Sequence, residues 1–92
     1  MAVEVRVPSL LRAITRGEKI VCGDGETLAA LIEDLEARFP GLHDQLFESE
    51  GKLRQFLNVY VNDEDVRYTG RLATPVRSGD VVSILPAVAG GQ

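Results

Sequence analysis

Residues 56–62 read Phe56-Leu57-Asn58-Val59-Tyr60-Val61-Asn62, an alternation of side chains that favour β-structure. Successive side chains of a strand point to opposite faces, so the aliphatic residues share one face and the polar and aromatic residues share the other. We expect the aliphatic set to face the core: Leu57, Val59 and Val61. The segment therefore predicts a half-buried strand, around which the remaining elements are arranged.

A helix is predicted on the N-terminal side of this strand. Thr27 is a typical N-cap residue, and the apolar residues after it recur with the spacing of one helical face. These residues are Leu28, Leu31, Ile32, Leu35 and Phe39. The helix is expected to end before Pro40-Gly41, because proline cannot continue the hydrogen-bond ladder of a helix interior. Residues 42–47 form a weaker helical stretch.

Two strands are predicted before the helix, paired as a hairpin. Residues 2–7 alternate with period two, which places Val3, Val5 and Val7 inward. A second strand is expected over residues 18–22, with Ile20 and Cys22 on its buried face. The connection between them contains three apolar residues that we expect to cover one end of the core: Leu10, Leu11 and Ile14.

The C-terminal part continues the sheet. Residues 62–65 are typical of a turn, and residues 66–68 are interpreted as a short edge strand. A second turn, at Ser78-Gly79-Asp80, leads into a last strand over residues 81–85. The order is two strands, one main helix and then two or three strands. This order predicts an α+β roll, a mixed sheet with one main helix packed across one face.

Composition narrows the function classes. A chain of 92 residues, 45% hydrophobic and 26% charged, is expected to form one soluble domain. Its 14 acidic and 10 basic residues show no basic stripe, which argues against a nucleic-acid partner. The start of the chain alternates instead of forming a long apolar run, so we expect neither a signal peptide nor a membrane segment, and a cytoplasmic location.

Candidate catalytic and metal-binding residues are few. His43 is the only histidine and is interpreted as a surface residue, because no second ligand or nucleophile is spaced to work with it. Residues 63–65, Asp63-Glu64-Asp65, lack the ligand spacing of a calcium loop and are interpreted as a charged hairpin turn. Cys22 is interpreted as a small core residue. The sequence thus predicts no metal site and no enzymatic active site within the domain.

Small residues dominate the end of the chain. Pro86 cannot donate to a sheet ladder, so we expect residues 1–86 to form the domain and residues 87–92 a flexible arm ending Gly-Gly-Gln. The arm comprises Ala87, Val88, Ala89, Gly90, Gly91 and Gln92. Up to Gly91 it would reach roughly 17 Å when extended. Two glycines without side chains could thread a narrow channel in another protein.

Three segments carry a family resemblance: residues 56–67, the turn at residues 78–80, and residues 84–91. With them, the chain resembles the ubiquitin superfamily and, within it, the ThiS/MoaD family of sulfur carriers, in its CysO-like actinobacterial branch. The resemblance implies a ubiquitin-like β-grasp domain. It also implies that the protein is a carrier acted on by partner enzymes, and not itself an enzyme.

The resemblance implies a reaction at Gly91. An E1-like adenylating enzyme of the MoeB/ThiF type, using ATP and magnesium, would activate the Gly91 carboxylate, and a sulfur donor would convert the adenylate to a thiocarboxylate. The carrier itself would bind no cofactor. A sulfur-accepting synthase would then use the sulfur to make cysteine, thiamin, a thiosugar or a related metabolite.

Gln92 departs from the family pattern. A peptide bond to Gln92 removes the free carboxylate that ATP must activate, so the chain is expected to be inactive until Gln92 is removed. We expect a JAMM-type metallopeptidase, or another protease, to remove it. An artificially added residue is the competing explanation.

Partner recognition is expected on the sheet face that points away from the helix. Strand alternation turns four apolar or aromatic residues toward that face. These candidate docking residues are Phe56, Tyr60, Val81 and Leu85.

Three other functions remain open from the sequence. The first is the small subunit of molybdopterin synthase, in which the same tail inserts into a larger subunit. The second is a ubiquitin-like protein modifier joined through Gly91 to lysine amines on its targets. The third is a noncovalent interaction module, for which Gly90 and Gly91 would be dispensable.

Overall fold

The structure is a computed structural model that describes residues 2–48 and 52–86. Its strands are β1 (Val3–Arg6), β2 (Ile20–Gly23), β3 (Leu57–Val61), β4 (Glu64–Asp65) and β5 (Val81–Pro86). Its helices are α1 (Leu28–Arg38) and α2 (Leu42–Leu46), with short 3-10 turns at Ser9–Leu11, Val66–Tyr68 and Arg71–Ala73.

Within the described residues, the strands form one mixed sheet in the order β2-β1-β5-β3-β4. The pair β1 and β5 is parallel, and the other neighbouring pairs are antiparallel. The sheet with its one main helix confirms the predicted α+β roll.

The core lies between α1 and one face of the sheet. The apolar stripe of α1 and the inward side chains of β1, β3 and β5 belong to one buried cluster. Each large aliphatic side chain buried there contributes about 1.5–3 kcal/mol. The inward residues predicted for β1, β3 and α1 are all buried. Thr27 caps α1 as predicted, because its Oγ1 accepts the Ala30 N–H at 3.2 Å.

Glu36 connects α1 to α2. One carboxylate oxygen accepts the Gly41 N–H at 2.9 Å and the other accepts the His43 N–H at 2.8 Å. These donors lie at the N-terminal end of α2, where N–H groups have no partner within the helix. The two bonds, that to His43 first, hold the pKa of Glu36 below its ordinary value. Glu36 therefore caps α2 through its ionised form.

The predicted buried face of β2 is wrong. Ile20 and Cys22 are exposed, whereas Val21 and Gly23 face the core. The register with β1 sets this phase, because Val21 lies opposite the inward Val5. Gly23 lies so close to α1 that an added Cβ would be 2.9 Å from Leu31 Cδ1. Cys22 is thus a surface residue on the side of the sheet opposite α1.

Residues 66–68 form a 3-10 turn and not the predicted edge strand. The Asp65 side chain accepts the Arg67 N–H at 2.9 Å, which turns the chain immediately after β4. The edge strand is instead β4, which is two residues long.

The covering role predicted for Leu10 is also wrong. Its side chain is 50% exposed, whereas Leu11 is buried and Ile14 packs against the core. Successive side chains of a 3-10 turn point in directions about 120° apart, so neighbouring leucines cannot both face inward.

Replacing Glu36 by Gln should destabilise the fold by about 1 kcal/mol at neutral pH. The amide has one acceptor oxygen, and its NH₂ group would face one of the two N–H donors. Because the pKa of Glu36 is lowered in the folded state, its contribution is fully present above the unfolded value, near 4.5, and is lost as pH falls through the folded pKa.

Urea unfolding of the wild type and the variant at neutral and acidic pH measures this difference. The control is Glu33→Gln, an exposed carboxyl on the same helix. Equal unfolding free energies for the two variants at neutral pH would contradict the capping role of Glu36.

Candidate functional site

The strand that leads toward the C-terminus lies inside the sheet. β5 is flanked by β1 and β3, and its last residue, Pro86, lies opposite Leu57. A strand with neighbours on both sides is fixed in position by two hydrogen-bond ladders. Residues 81–83 of β5 are therefore held by two ladders, and the remainder of the strand, up to Pro86, is paired with β3.

The start of β5 is held by Asn62. Its Nδ2 donates to Asp80 Oδ1 at 2.9 Å, and its Oδ1 accepts the Val81 N–H at 3.0 Å. Its own N–H donates to the Val81 carbonyl at 2.8 Å. The bond from Asn62 is the main reason that the pKa of Asp80 is lowered. These contacts fasten the turn after β3 to the first residue of β5.

Asn62 and Asp63 also make the tight turn between β3 and β4. Their φ angles are 50° and 74°, the left-handed region that the central residues of a two-residue hairpin turn require. Asn and Asp tolerate this region better than other residues with side chains. The interpretation of residues 63–65 as a charged hairpin turn is confirmed for Asp63, whereas Glu64 and Asp65 form β4 of the same hairpin.

The face of the sheet opposite α1 is called here the open sheet face. It carries the outward side chains of β1, β2, β3 and β5: Glu4, Arg6, Ile20, Cys22, Asn58, Tyr60, Val81, Ser83 and Leu85. Arg6, Ser83 and Tyr60 form one row across three strands. The face is therefore apolar at several positions, with an arginine near its middle.

Arg6 separates shallow depressions on this face. One, of about 360 Å³, is lined by Arg6, Tyr60, Asp63, Ser83 and Leu85. Another, of about 400 Å³, extends over Leu85 and Ile20 toward Arg12 and Lys19. The Arg6 guanidinium pairs with Glu4 at 3.0 Å, but this exposed ion pair contributes little to stability. Arg6 remains available to a docked partner.

The predicted docking residues are placed as follows. Tyr60 and Leu85 line one depression, and Val81 lines the adjoining one with Arg6 and Ser83. Phe56 precedes β3, is 48% exposed and lines none of these depressions. The structure thus brings together Tyr60, Val81 and Leu85, with Phe56 outside the group.

Sequence reasoning missed Arg6, Ser83 and Ile20 as members of this surface. Arg6 and Ser83 have the outward phase of their strands, a signal visible in the sequence. The parallel pairing of β1 with β5, which makes them neighbours, is a tertiary contact that alternation alone does not reveal. Ile20 was assigned to the wrong face.

The predicted arm lies outside the described residues. This holds for its candidate site residues Ala87, Val88, Ala89, Gly90 and Gly91, and for the processing residue Gln92. Their roles stay predictions.

The described residues offer little for catalysis or metal binding. Residues 2–48 and 52–86 contain no group of three or more His, Cys, Asp or Glu side chains that could hold a metal ion. His43 is partly exposed, with its ring centroid 5.3 Å from that of Phe47 and its Nδ1 3.6 Å from Asp44. None of the helices in this part of the chain has the length and apolar character needed to cross a membrane.

Comparison with known families gives a match over almost the whole chain. The sequence model of the ThiS family matches residues 5–91. The sulfur carrier protein CysO of Mycobacterium tuberculosis is 54% identical, in an alignment that covers 99% of this chain and 100% of the relative. Small archaeal modifier protein 3 of Haloferax volcanii is 33% identical, with 99% and 100% covered.

Solved structures agree with this match. The crystal structure of Mycobacterium tuberculosis CysO superposes with a TM-score of 0.90 at 52% identity, covering 94% of this chain and 99% of that one. The CysO structure from the Amycolatopsis orientalis BexX/CysO complex gives 0.89 at 50% identity, covering 98% and 100%. The fold is therefore the ubiquitin-like β-grasp fold of these carriers.

Proposed function

This chain belongs to the ThiS family, and on that premise we propose that it is a sulfur carrier whose reactive group is the carboxylate of Gly91. The observation that carries the proposal is the 54% identity to a sulfur carrier over the full length of both chains. The family match extends to residue 91, the second glycine of the pair. The protein acts as a cosubstrate, and its partners supply the catalysis.

The first step activates Gly91. A carboxylate is a poor electrophile, so an E1-like enzyme of the MoeB/ThiF type binds ATP and magnesium and brings the carboxylate to the α-phosphorus. A carboxylate oxygen forms a bond to that phosphorus, and pyrophosphate leaves. The magnesium ion neutralises the phosphate charge. The carrier holds neither ATP nor metal itself.

The second step exchanges oxygen for sulfur. Sulfide attacks the acyl carbon of the adenylate, and AMP leaves with the electron pair of the broken C–O bond. The product is a thiocarboxylate, a nucleophile attached covalently to the carrier. Its sulfur attacks an electrophilic carbon on an acceptor bound to the synthase, and the leaving group of that carbon departs with the electron pair of its bond. Water then attacks the acyl carbon of the resulting thioester, which releases the acceptor with the sulfur as a thiol and restores the Gly91 carboxylate.

Activation requires that Gln92 be absent. Hydrolysis of the Gly91–Gln92 amide by a JAMM-type metallopeptidase or another protease releases glutamine and leaves the carboxylate that ATP activates. Before hydrolysis, the carbonyl group of Gly91 belongs to the amide bond with Gln92, so Gly91 has no free carboxylate. Processing therefore comes before adenylation.

The open sheet face supports docking of these partners. Leu85 lies one residue before Pro86 and is 49% exposed, beside a depression that also contains Tyr60. A partner that covers this depression would hold the carrier immediately next to the segment that leads to Gly91. Binding energy gained on the sheet would thus orient the reacting carboxylate, which is how a carrier without its own catalytic groups contributes to rate.

Incubation with an extract of the producing cells, ATP and sulfide should change the intact mass in two ordered steps. The first is loss of one glutamine residue, and the second is replacement of one oxygen by sulfur. Intact-mass spectrometry measures both.

A Gly91→Leu chain should fold normally but gain no sulfur, because a bulky side chain blocks entry into the narrow site that closes on the carboxylate. Sulfur gained by a chain that retains Gln92 would contradict the assignment to Gly91.

Replacing Leu85 by Ser should raise the KM for the carrier in adenylation about tenfold, as expected when one buried apolar anchor is lost at an interface. The matched control is Leu10→Ser, since Leu10 is 50% exposed but lines none of the depressions of the open sheet face. Both chains should end at Gly91 and should show the same melting temperature. Equal KM values for the two variants would contradict docking at Leu85.

A second candidate function is protein modification. It is favoured by the 33% identity to small archaeal modifier protein 3 over the full length of both chains. Modification uses the same adenylate but joins Gly91 to a lysine amine. Detection of the thiocarboxylate form in the native cell, with no protein conjugates, would favour sulfur transfer. Detection of conjugates that disappear when Gly91 is deleted would favour modification.

A further inference from the structure

A second surface lies on the far side of β3 from β5. Here a groove of about 270 Å³ is formed where Phe47, Lys52 and Leu53 meet residues of the two 3-10 turns that follow β4. It is lined by Phe47, Lys52, Leu53, Val66, Arg67 and Arg71. We call it the cationic groove. It shares no lining residue with the depressions of the open sheet face.

The floor of the cationic groove is apolar and firmly held. Phe47 and Val66 are 4% and 2% exposed and belong to the core cluster. Leu53 packs against that cluster and pairs with Phe47 in an antiparallel bridge. The floor is therefore an extension of the hydrophobic core that reaches the surface, and an apolar group placed on it would leave water at little cost in ordering of the protein.

Arg67 gives the groove a fixed positive charge. Its guanidinium donates to Asn58 Oδ1 at 2.8 Å and to the Leu57 carbonyl at 2.9 Å, and it lies 3.6 Å from the Asp65 carboxylate. These contacts hold the side chain in one orientation. Asp65 offsets part of its charge, so Arg67 alone would bind an anion weakly.

Lys52 and Arg71 supply charge that is not paired within the described residues. Within residues 2–48 and 52–86, neither side chain forms an ion pair or a hydrogen bond. None of the described lining residues is acidic. Yet the chain as a whole carries 14 acidic and 10 basic residues. Three of its basic residues thus gather around one apolar groove, against the overall charge of the protein.

We propose that the cationic groove binds an acidic peptide segment of a partner protein. One apolar side chain of the segment would lie on the floor made by Phe47, Leu53 and Val66, and carboxylates on either side of it would pair with Lys52 and Arg71. The groove, of about 270 Å³, has room for one aliphatic side chain. The inference stands apart from sulfur transfer, because it uses neither the open sheet face nor the Gly-Gly end.

The test is an amide NMR titration of the full chain with a capped pentapeptide, Glu-Asp-Leu-Asp-Glu. The result expected is a set of saturable shifts confined to the lining residues of the groove. A peptide with glycine in place of the central leucine should bind about tenfold more weakly, because burial of the leucine side chain is lost. Raising the salt concentration should weaken binding of the leucine peptide, because the charges on the rim are exposed.

Charge reversal provides the matched control. Arg71→Glu should weaken binding of the leucine peptide about tenfold, whereas Arg77→Glu, the same change at an exposed arginine outside the groove, should alter it less than about twofold. Lys52→Glu is the second groove variant and should act as Arg71→Glu does. Melting curves of all three should match that of the wild type.

Three results would overturn the proposal. Chemical-shift changes near every exposed arginine and lysine would show that the attraction is nonspecific. Equal binding of the leucine and glycine peptides, or equal shifts with inorganic phosphate, would show a simple anion site. Equal effects of Arg71→Glu and Arg77→Glu would show that the groove does not select its ligand.

Discussion

The position of β5 between β1 and β3 is the constraint on which the rest of the structure depends. Its inward side chains, Val82 and Ile84, are 0% and 1% exposed beneath α1. Burial of each side chain is worth about 1.5–3 kcal/mol. In both ladders, backbone N–H and C=O groups that would otherwise bond to water bond to each other. Because β5 cannot shift by one residue without exposing these side chains, its register against β1 and β3 is fixed.

A fixed register for β5 suits the sulfur-carrier function that we propose. The described residues pack around one hydrophobic core, and we propose that the reactive carboxylate lies after them in the sequence, at Gly91. In the mechanism that we propose, the groups that activate the carboxylate belong to the partner. The division that we propose would let recognition and reaction be changed separately, through Leu85 in one case and through the Gly-Gly end in the other.

The sequence predicted β3 and α1 well because each has one clearly apolar face. Asn58 in β3 and Asn62 directly after it mark the outward phase without ambiguity. In β2, both faces contain apolar residues, with Ile20 and Cys22 on one and Val21 on the other. The buried face is therefore determined by the pairing with β1 and by the close packing of Gly23 against α1. Local alternation contains neither of these tertiary contacts.

The candidate site, too, could be predicted only in part from the sequence. Tyr60, Val81 and Leu85 followed from strand phase, but their grouping around Arg6 depends on the parallel pairing of β1 with β5. The cationic groove was not predicted at all, because Lys52 and Arg71 are far apart in the chain and meet only through the bridge between Phe47 and Leu53 and the turn that Asp65 induces. For the Gly-Gly end, composition and family resemblance were the only guides.

The central claim is that Gly91, as a free carboxylate, is the group that reacts. ATP–pyrophosphate exchange by the partner activating enzyme tests it most directly, with three chains that share one folded body and end at Gly90, Gly91 or Gln92. The account predicts exchange with the chain that ends at Gly91 and background with the other two. Equal exchange with the chain that ends at Gln92 would contradict it.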